Sequence, residues 1–557
     1  MLRKRFISIT DLLKECKVNQ KSYYLENKAS YIITFSICAF ISAFFIALFI
    51  SLCFFNNSTP MRGTLVSTGY QLLAAIFFFG LIFVMYKGLS AFWNLPVFAK
   101  SGFAIRLIVM STVLFAVQMV LVVNLHTTIG WDVWNMVHYA TAAASHNPIE
   151  SFYISMYPNN LMLFFILFNI IKFLNFIGFT NYWLWFAVIN VIFVDIAIIA
   201  AVITFQKIYP SFKRMYLLFI ILSLLVGLSP WIIVLYSDTV LMPVISLLVL
   251  FCVLTVLADN TVKRITYSSV AGILFAFGWL IKPTVIAVAA ALVGIGIIYI
   301  FQLRGRIKPI YIYIYIATIL ISGICSFIIS MSLFNVFVDN QNIIIIDKTL
   351  RTPASYAIAT GLFKDPAGSN RFRYGAYNPE VSEINFSGTT DERNEEFIEF
   401  IKDKLNEYGP VGYAAFLFNK ARWITSEGYF SWLSEAEAGI GLGSGDFHNP
   451  DRNVFKALLY PDSRFYPIYM NLANGLWIVV FFGICAAMTV QCFKGFGKER
   501  LKSNFDLFLQ FIIFFGIAAI LLTEARSRYL LGFLPAFCVV SVSGYSYIGK
   551  FFKLDKK

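Results

Sequence analysis

The stretch from Asn124 to Leu161 (NLHTTIGWDVWNMVHYATAAASHNPIESFYISMYPNNL) holds the side chains best suited to chemistry. It follows one strongly apolar run and leads into another. It is too polar to span a bilayer and too aromatic for a plain linker. Asp132 stands just beyond the end of an apolar run, with Trp131 before it and Trp134 two residues after. A carboxylate in that position can act as a general base, taking the proton of an attacking hydroxyl. The aromatic neighbours suit sugar faces and a membrane interface equally, and a solvated loop aspartate is the plain alternative. Three of the four histidines, His126, His138 and His146, fall in or at the edge of the same stretch. They lack the i, i+4 spacing of a metal-binding helix, so His138 reads as a substrate hydrogen-bonding group or as a surface residue. Tyr157-Pro158-Asn159-Asn160 marks the return to the membrane, by function or as a turn and helix start.

Further charged groups recur at apolar-run ends. Asp238, in Tyr236-Ser237-Asp238-Thr239, is a second carboxylate for proton transfer or a helix cap. Lys282, in Ile281-Lys282-Pro283, stands where short loops of its side carry few cations, and a phosphate would give it a reason. Glu524, Arg526 and Arg528, in TEARSRY, form a second cationic group. Arginine holds phosphate oxygens bidentately; simple pairing with Glu524 is the alternative. Lys172 and Asp195 lie inside apolar runs, buried and functional or, for Lys172, reaching to an interface. Carboxylates for deprotonation beside cations for a phosphate leaving group fit transfer from a lipid-linked phosphate donor.

The elements that must position these groups are transmembrane. Of 557 residues, 59% are hydrophobic and 13% charged, far from the roughly 25% charged residues of soluble domains. Apolar segments fall near 31–55, 66–86, 105–125, 160–177, 181–205, 215–236, 240–258, 267–281, 284–301, 310–334, 466–492, 505–522 and 529–549. Basic residues crowd the N-terminal tail and the connectors 87–106, 207–214, 263–264, 304–308, 494–502 and 550–557. By the positive-inside rule these are cytoplasmic. Segment 335–464 carries 18 of the 30 acidic and 13 of the 44 basic residues, so it is about −5 while the rest is +19. Basic residues scattered at helix ends do not make a nucleic-acid face. Two cytoplasmic termini require an even number of crossings, against thirteen segments. The conflict lies at 160–205, which the chain enters outside and leaves inside. One of that pair is expected to be re-entrant, or the two to form one broken passage, for about twelve crossings.

On this reading the outer face collects 56–65, 124–160, Asp238, Lys282, 335–464 and Glu524–Arg528. Within 335–464, Thr389–Tyr408 reads as a helix capped by Thr390 and stopped by Gly409-Pro410. Residues 411–424 read as a helix on the membrane surface, and Gly439–Gly445 as a glycine-rich turn. The eight cysteines lie in or beside apolar runs, with no zinc-ligand spacing or disulfide framework. No nucleotide-binding motif appears. The first apolar run is expected to be retained rather than cleaved. The chain divides into a basic cytoplasmic tail (1–30), an additional hairpin with its connector (31–104), a transmembrane core (105–334), an extracytoplasmic loop domain (335–464) and C-terminal helices with a basic tail (465–557).

Trp131-Asp132, Tyr157-Pro158-Asn159-Asn160, Tyr236-Ser237-Asp238, Lys282-Pro283 and Glu524-Ala525-Arg526-Ser527-Arg528-Tyr529 followed by Leu534-Pro535 run in that order through residues 105–545. Together they resemble the GT-C superfamily of integral-membrane glycosyltransferases, in the bacterial branch similar to protein O-mannosyltransferases and the lipid A aminoarabinose transferase. The resemblance implies an all-α polytopic GT-C-like bundle with a mixed extracytoplasmic loop domain in a bacterial plasma membrane. It implies inverting transfer from a polyprenyl-phosphate sugar to a glycan, lipid or protein acceptor of the cell envelope. Asp132 would be the base or orient the acceptor, and Asp238 would assist, with a divalent metal left open and no residue assigned as its ligand. Lys282, Arg526 and Arg528 would hold the donor phosphate, with Trp131, His138, Tyr157 and Glu524 also lining the substrate site. Val133 stands where the mannosyltransferases carry a second acidic residue, and Asn159 where a second proline is common. A flippase or transporter of polyprenyl-linked glycans, or a glycan polymerase or ligase, is the alternative. The lack of an internal repeat and the gathering of charge at one face favour the enzyme.

Overall fold

The computed structural model describes residues 28–55, 68–146, 148–303, 309–366, 372–386, 388–432, 453–460, 463–493 and 500–551. The N-terminal tail before Lys28, the 56–65 loop, connector 304–308, residues 494–499, the C-terminal tail from 552, Gly439–Gly445 and His448 lie outside them.

The described chain is an all-α membrane bundle. Eleven helices are long and apolar enough to cross a bilayer. In chain order the helices are α1 (Lys28–Phe54), α2 (Thr68–Trp93), α3 (Phe103–Leu125), α4 (Trp131–Ser145), α5 (Phe152–Met156), α6 (Leu161–Phe176), α7 (Tyr182–Ile208), α8 (Phe212–Leu222), α9 (Ser237–Leu257) and α10 (Thr261–Ile281). There follow α11 (Ile286–Leu303), α12 (Pro309–Asn340), α13 (Ser355–Gly361), α14 (Pro379–Asn385), α15 (Thr390–Thr425), α16 (Val454–Leu459), α17 (Tyr466–Phe493), α18 (Arg500–Leu522) and α19 (Leu534–Phe551).

Side-chain contacts sort the helix ends into two groups. At one end Arg106 of α3 donates to Tyr216 of α8 and covers the Trp93 ring of α2, and Tyr209, just after α7, bonds the Lys502 carbonyl of α18 and lies 3.5 Å from the Tyr547 hydroxyl of α19. At the other end stand Leu125, Tyr236, Lys282 and Glu524–Arg528. Since α7 finishes at the first end, it starts at the second, and the bond from Tyr182 to Asn175 holds the end of α6 there as well. Helix α6 therefore leaves Tyr157 and returns to the same end. The segment Pro158–Phe176 is one of the eleven long and apolar enough to cross a bilayer, yet side chains at both of its ends meet residues of the same bundle end. A segment that starts and ends at one end of the bundle matches the first of the two alternatives expected for 160–205.

The broken passage is a different one. Helix α8 ends in a π-turn over Ser223–Gly227 and resumes as a 3-10 turn over Pro230–Ile233. Proline removes a donor there, and side chains of other helices take the freed carbonyls. Gln118 of α3 donates to Gly227 O at 3.1 Å, and Asn190 of α7 donates to Trp231 O and Ile232 O at 2.9 Å. Irregular backbone inside a membrane survives only with such partners. With α6 set aside, the passage through α8 and the short α11 complete twelve passes, and both described chain ends, Lys28 and Phe551, share the far end.

Close helix approach rests on small residues, as it does in lipid. A Cβ on Gly272 of α10 would lie 2.2 Å from Gly323 O of α12, and one on Gly544 of α19 would lie 1.9 Å from Gly483 O of α17. Helix α12 turns its apolar surface outward, as expected of a lipid-facing helix.

Segment 335–464 docks on the segment between α4 and α6. Ile149–Glu150 (β1) pairs in parallel with Ile344–Ile345 (β2), and Thr352 N–H donates to Met156 O at 2.9 Å. Lys364–Pro366 (β3) pairs antiparallel with Phe372–Tyr374 (β4). Thr389, one residue before the expected cap, caps α15 and forms a reciprocal capping box with Glu392. Gly409, non-helical at φ +58°, and Pro410 end the first helix as expected, and the second helix continues across the kink to Thr425, so the two abut as one bent element.

Two outcomes follow. Single cysteines at Asn159 and Thr180, flanking α6, are expected to react with an impermeant thiol reagent from the same side of the membrane; labelling from opposite sides would make α6 a full crossing. Gly544→Ala is expected to cost about 1–3 kcal/mol in unfolding free energy, measured by thermal unfolding in detergent, because the added methyl has no space against α17.

Candidate functional site

Six charged groups from α4, α9, the α10–α11 turn and the α18–α19 turn meet at one end of the bundle. Helix α3 delivers the chain to this end, where Tyr460 OH donates to Leu125 O at 2.8 Å. Gly130, extended, starts α4, and Asp132 falls in its first turn, where unsatisfied N–H groups favour a carboxylate. Tyr153 OH donates to Asp132 Oδ1 and Tyr236 OH to Oδ2, each at 2.8 Å. Arg528 Nη2 lies 3.8 Å from Oδ2, and the Asp132 side chain stays 39% exposed.

Asp238 sits differently. It lies in the first turn of α9 with 1% of its side chain exposed. Lys282 Nζ donates to its Oδ1, and Arg528 Nε stands 3.6 Å from its Oδ2. Arg528, 5% exposed, thus lies between the two carboxylates. Lys282 caps the end of α10 in an extended conformation, and its ammonium rests 3.5 Å from the centre of the Tyr529 ring. Burial pulls that ammonium below its usual range, and Asp238 opposes the shift. Arg526 and Glu524, 3.5 Å apart, are more open at 23% and 29% exposure. Three carboxylates and three cations balance, so the charge is compensated internally.

Tyr157 links this centre to the loop domain. Asn385 Nδ2 donates to its hydroxyl at 3.3 Å, and its ring lies 5.2 Å from that of Tyr153 and 6.4 Å from that of Tyr356. Burial raises the pKa of the Tyr153 hydroxyl, and the negative charge of Asp132 adds to this. Both therefore keep Tyr153 a donor. His138 is exposed and stacks on Trp134 at 4.9 Å, with its other ring contact to Tyr139. These ring contacts lie within α4 and not with the charged groups. Trp131 opens α4 beside Asp132, but its side chain lies outside the described residues.

The sequence-derived group of Asp132, Asp238, Lys282 and Arg528 is therefore contiguous, with Glu524 and Arg526 on the segment that leads into Arg528. Asp238 is not the open carboxylate that direct proton transfer needs. Tyr153 and Tyr236, which fix both oxygens of Asp132, were not among the expected site residues. Tyr236 stood inside a quoted motif, but Tyr153, 21 residues beyond Asp132, carried no spacing signal. Lys172 is exposed, its ammonium over the Phe168 ring at 5.6 Å, whereas Asp195 is buried. Among the described residues no three or more His, Cys, Asp or Glu side chains converge. The oxygens of Asp132 and Asp238 are engaged by tyrosines and cations, a donor set that does not fit a divalent metal.

Fold and site together define a polytopic integral membrane protein with a compensated charge centre at one end of its bundle. The chain belongs to the family described as conserved hypothetical integral membrane protein, whose model matches residues 23–546. No curated protein and no solved structure matches.

Lys282→Met is expected to leave Asp238 buried with half its compensation, at a cost of about 3 kcal/mol or more. The double variant with Asp238→Asn should recover much of that loss. Thermal unfolding of the four proteins in one double-variant cycle checks it; additive effects would mean that the pair is not coupled.

Proposed function

We propose that this protein is a GT-C-type membrane glycosyltransferase that moves a sugar from a polyprenyl-phosphate-linked donor to a cell-envelope acceptor, with inversion. The observation that carries the reading is the contrast between two carboxylates in one charge centre. Asp132 is open and oriented by two tyrosine hydroxyls, while Asp238 is buried against two cations. An open, oriented carboxylate suits an attacking hydroxyl. A cation group beside it suits a phosphate leaving group.

In this mechanism the acceptor hydroxyl gives its proton to Asp132 as its oxygen bonds to the anomeric carbon. The bond from that carbon to the phosphate oxygen breaks, and its electron pair leaves with the polyprenyl phosphate. Arg526, the more open arginine, and Lys282 face the developing charge. Arg528 holds Asp132 in place, and Asp238 acts only through Lys282 and Arg528. Tyr157 and the aromatic surface around it receive the acceptor.

The extracytoplasmic side and bacterial plasma membrane belong to the same proposal. Its support is the distribution of cations: Lys207, Lys213, Arg214, Lys263, Arg264 and Lys502 stand at the far end of the bundle, and basic loops face the cytoplasm. A donor on the opposite side must then be carried by the membrane, since nucleotide sugars are cytoplasmic.

Membranes carrying the wild type are expected to transfer label from a radiolabelled polyprenyl-phosphate hexose to an envelope acceptor. Asp132→Asn should lower the rate by about a hundredfold or more, the scale of general-base catalysis, with donor binding retained. Equal transfer by the two proteins would remove Asp132 from the chemical step.

A further inference from the structure

We propose that Lys420 and Glu427 are positioning residues that clamp the segment Thr523–Tyr529 to the loop domain and thereby set where Arg526 and Arg528 stand. Residues 411–424 are indeed helical, but Lys420 is fully buried rather than reaching to a membrane surface. Its ammonium donates to Gly361 O at 2.6 Å, Leu521 O at 2.9 Å and Thr523 O at 2.6 Å. All three ammonium hydrogens are thus used. The acceptors belong to the C-terminal ends of α13 and α18, where unsatisfied carbonyls carry negative partial charge.

The surrounding backbone is shaped to this ammonium. Gly375 has φ +70°, and a Cβ there would lie 2.6 Å from Lys420 Cε and Nζ. The Gly375 carbonyl in turn accepts the Ala525 N–H at 2.7 Å. A Cβ on Gly361 would lie 2.7 Å from the Thr523 carbonyl. The loop domain therefore touches the cationic segment backbone to backbone, with Lys420 at the junction.

The second hold lies between the two arginines. Ser527 Oγ donates to Glu427 Oε1, which also accepts the Ser431 N–H at 3.0 Å. Ser431 and Ser527 hydroxyls lie 2.7 Å apart. The turn that presents Glu427 is strained: Phe430 and Ser431 take φ of +50° and +58° without being glycine. Such strain persists only where the surroundings over-determine it, and it gathers at functional sites. Here Asn474 Oδ1 accepts the Gly428 N–H at 2.7 Å and Trp231 Nε1 donates to Tyr429 O at 3.2 Å.

A plain packing contact between loop domain and bundle does not need a buried ammonium. Burial pulls its pKa down to about 7, against an opposing pull from the charge of Glu524. The charge is costly there, and what it obtains is three bonds that fix the end of α18 and the start of the cationic segment.

Hydrogen exchange of the full chain in lipid nanodiscs tests the clamp. Lys420→Met removes three donors at similar length, and Glu427→Gln removes a charge at constant shape. In each variant the amides of 523–529 are expected to exchange about tenfold faster or more, on the scale of a lost charged hydrogen bond, while α9 and α17 keep wild-type exchange. Unchanged exchange at 523–529 in both variants, or equal acceleration in α9 and α17, would overturn the proposal. The consequence for phosphate rests on the donor reading above, and titration with a polyprenyl monophosphate addresses it separately. Weaker binding by both variants, together with the local exchange change, supports the full account. A wild type that does not bind this lipid while the variants show the local change leaves the clamp standing and removes the donor.

Discussion

Arg528 lies between Asp132 and Asp238, and the rest of the site depends on that arrangement. A guanidinium this buried is tolerable only with negative charge beside it. One carboxylate comes from α4 and the other from α9. The arginine itself comes from the turn between α18 and α19, and Lys282 arrives from the end of α10 to share Asp238. Four separate parts of the chain must end at the same place, at the same depth, for any of these charges to be compensated. The tyrosine hydroxyls on Asp132 belong to the same requirement: its two oxygens need donors, and Tyr153 and Tyr236 supply them.

That convergence explains features of the fold that otherwise look irregular. Helix α6 returns to the end it started from, which keeps Tyr153 and Tyr157 close to Asp132. The π-turn and 3-10 turn after α8 shift the chain so that Tyr236 and Asp238 emerge against Asp132. Their carbonyls are paired by Gln118 and Asn190, two buried amides inside apolar helices. The loop domain closes over the same end and reaches the arginine segment through Lys420 and Glu427. The open part of the centre is then small: Asp132, Glu524 and Arg526, with Lys282 behind them.

Much of this was legible in the sequence because membranes impose strong rules. The apolar segments found by length correspond to helices. The charged residues of the site stood out because a charge at an apolar-run end is rare and needs a partner. What the sequence did not reveal depends on contacts between distant segments. Nothing about Asp238 in isolation says that it is sealed by Lys282, 44 residues away. Tyr153 looks like any loop aromatic until it is set on Asp132. The break at 223–233 was hidden because its residues are as apolar as their neighbours, and the sign of trouble, Ser229-Pro230, lies only at its end. The role of Lys420 carried no sequence signal because the three carbonyls that bind it come from elsewhere in the chain.

The central claim is that this charge centre binds the phosphate of a membrane-carried sugar donor. The most direct measurement is photo-crosslinking of the full-length protein with a polyprenyl monophosphate bearing a photoreactive group next to the phosphate, with the attachment site mapped by mass spectrometry. The account predicts attachment within 279–285 and 523–529, suppressed by excess unlabelled lipid phosphate. Attachment spread along the outward face of α12, or unaffected by competitor, would contradict it.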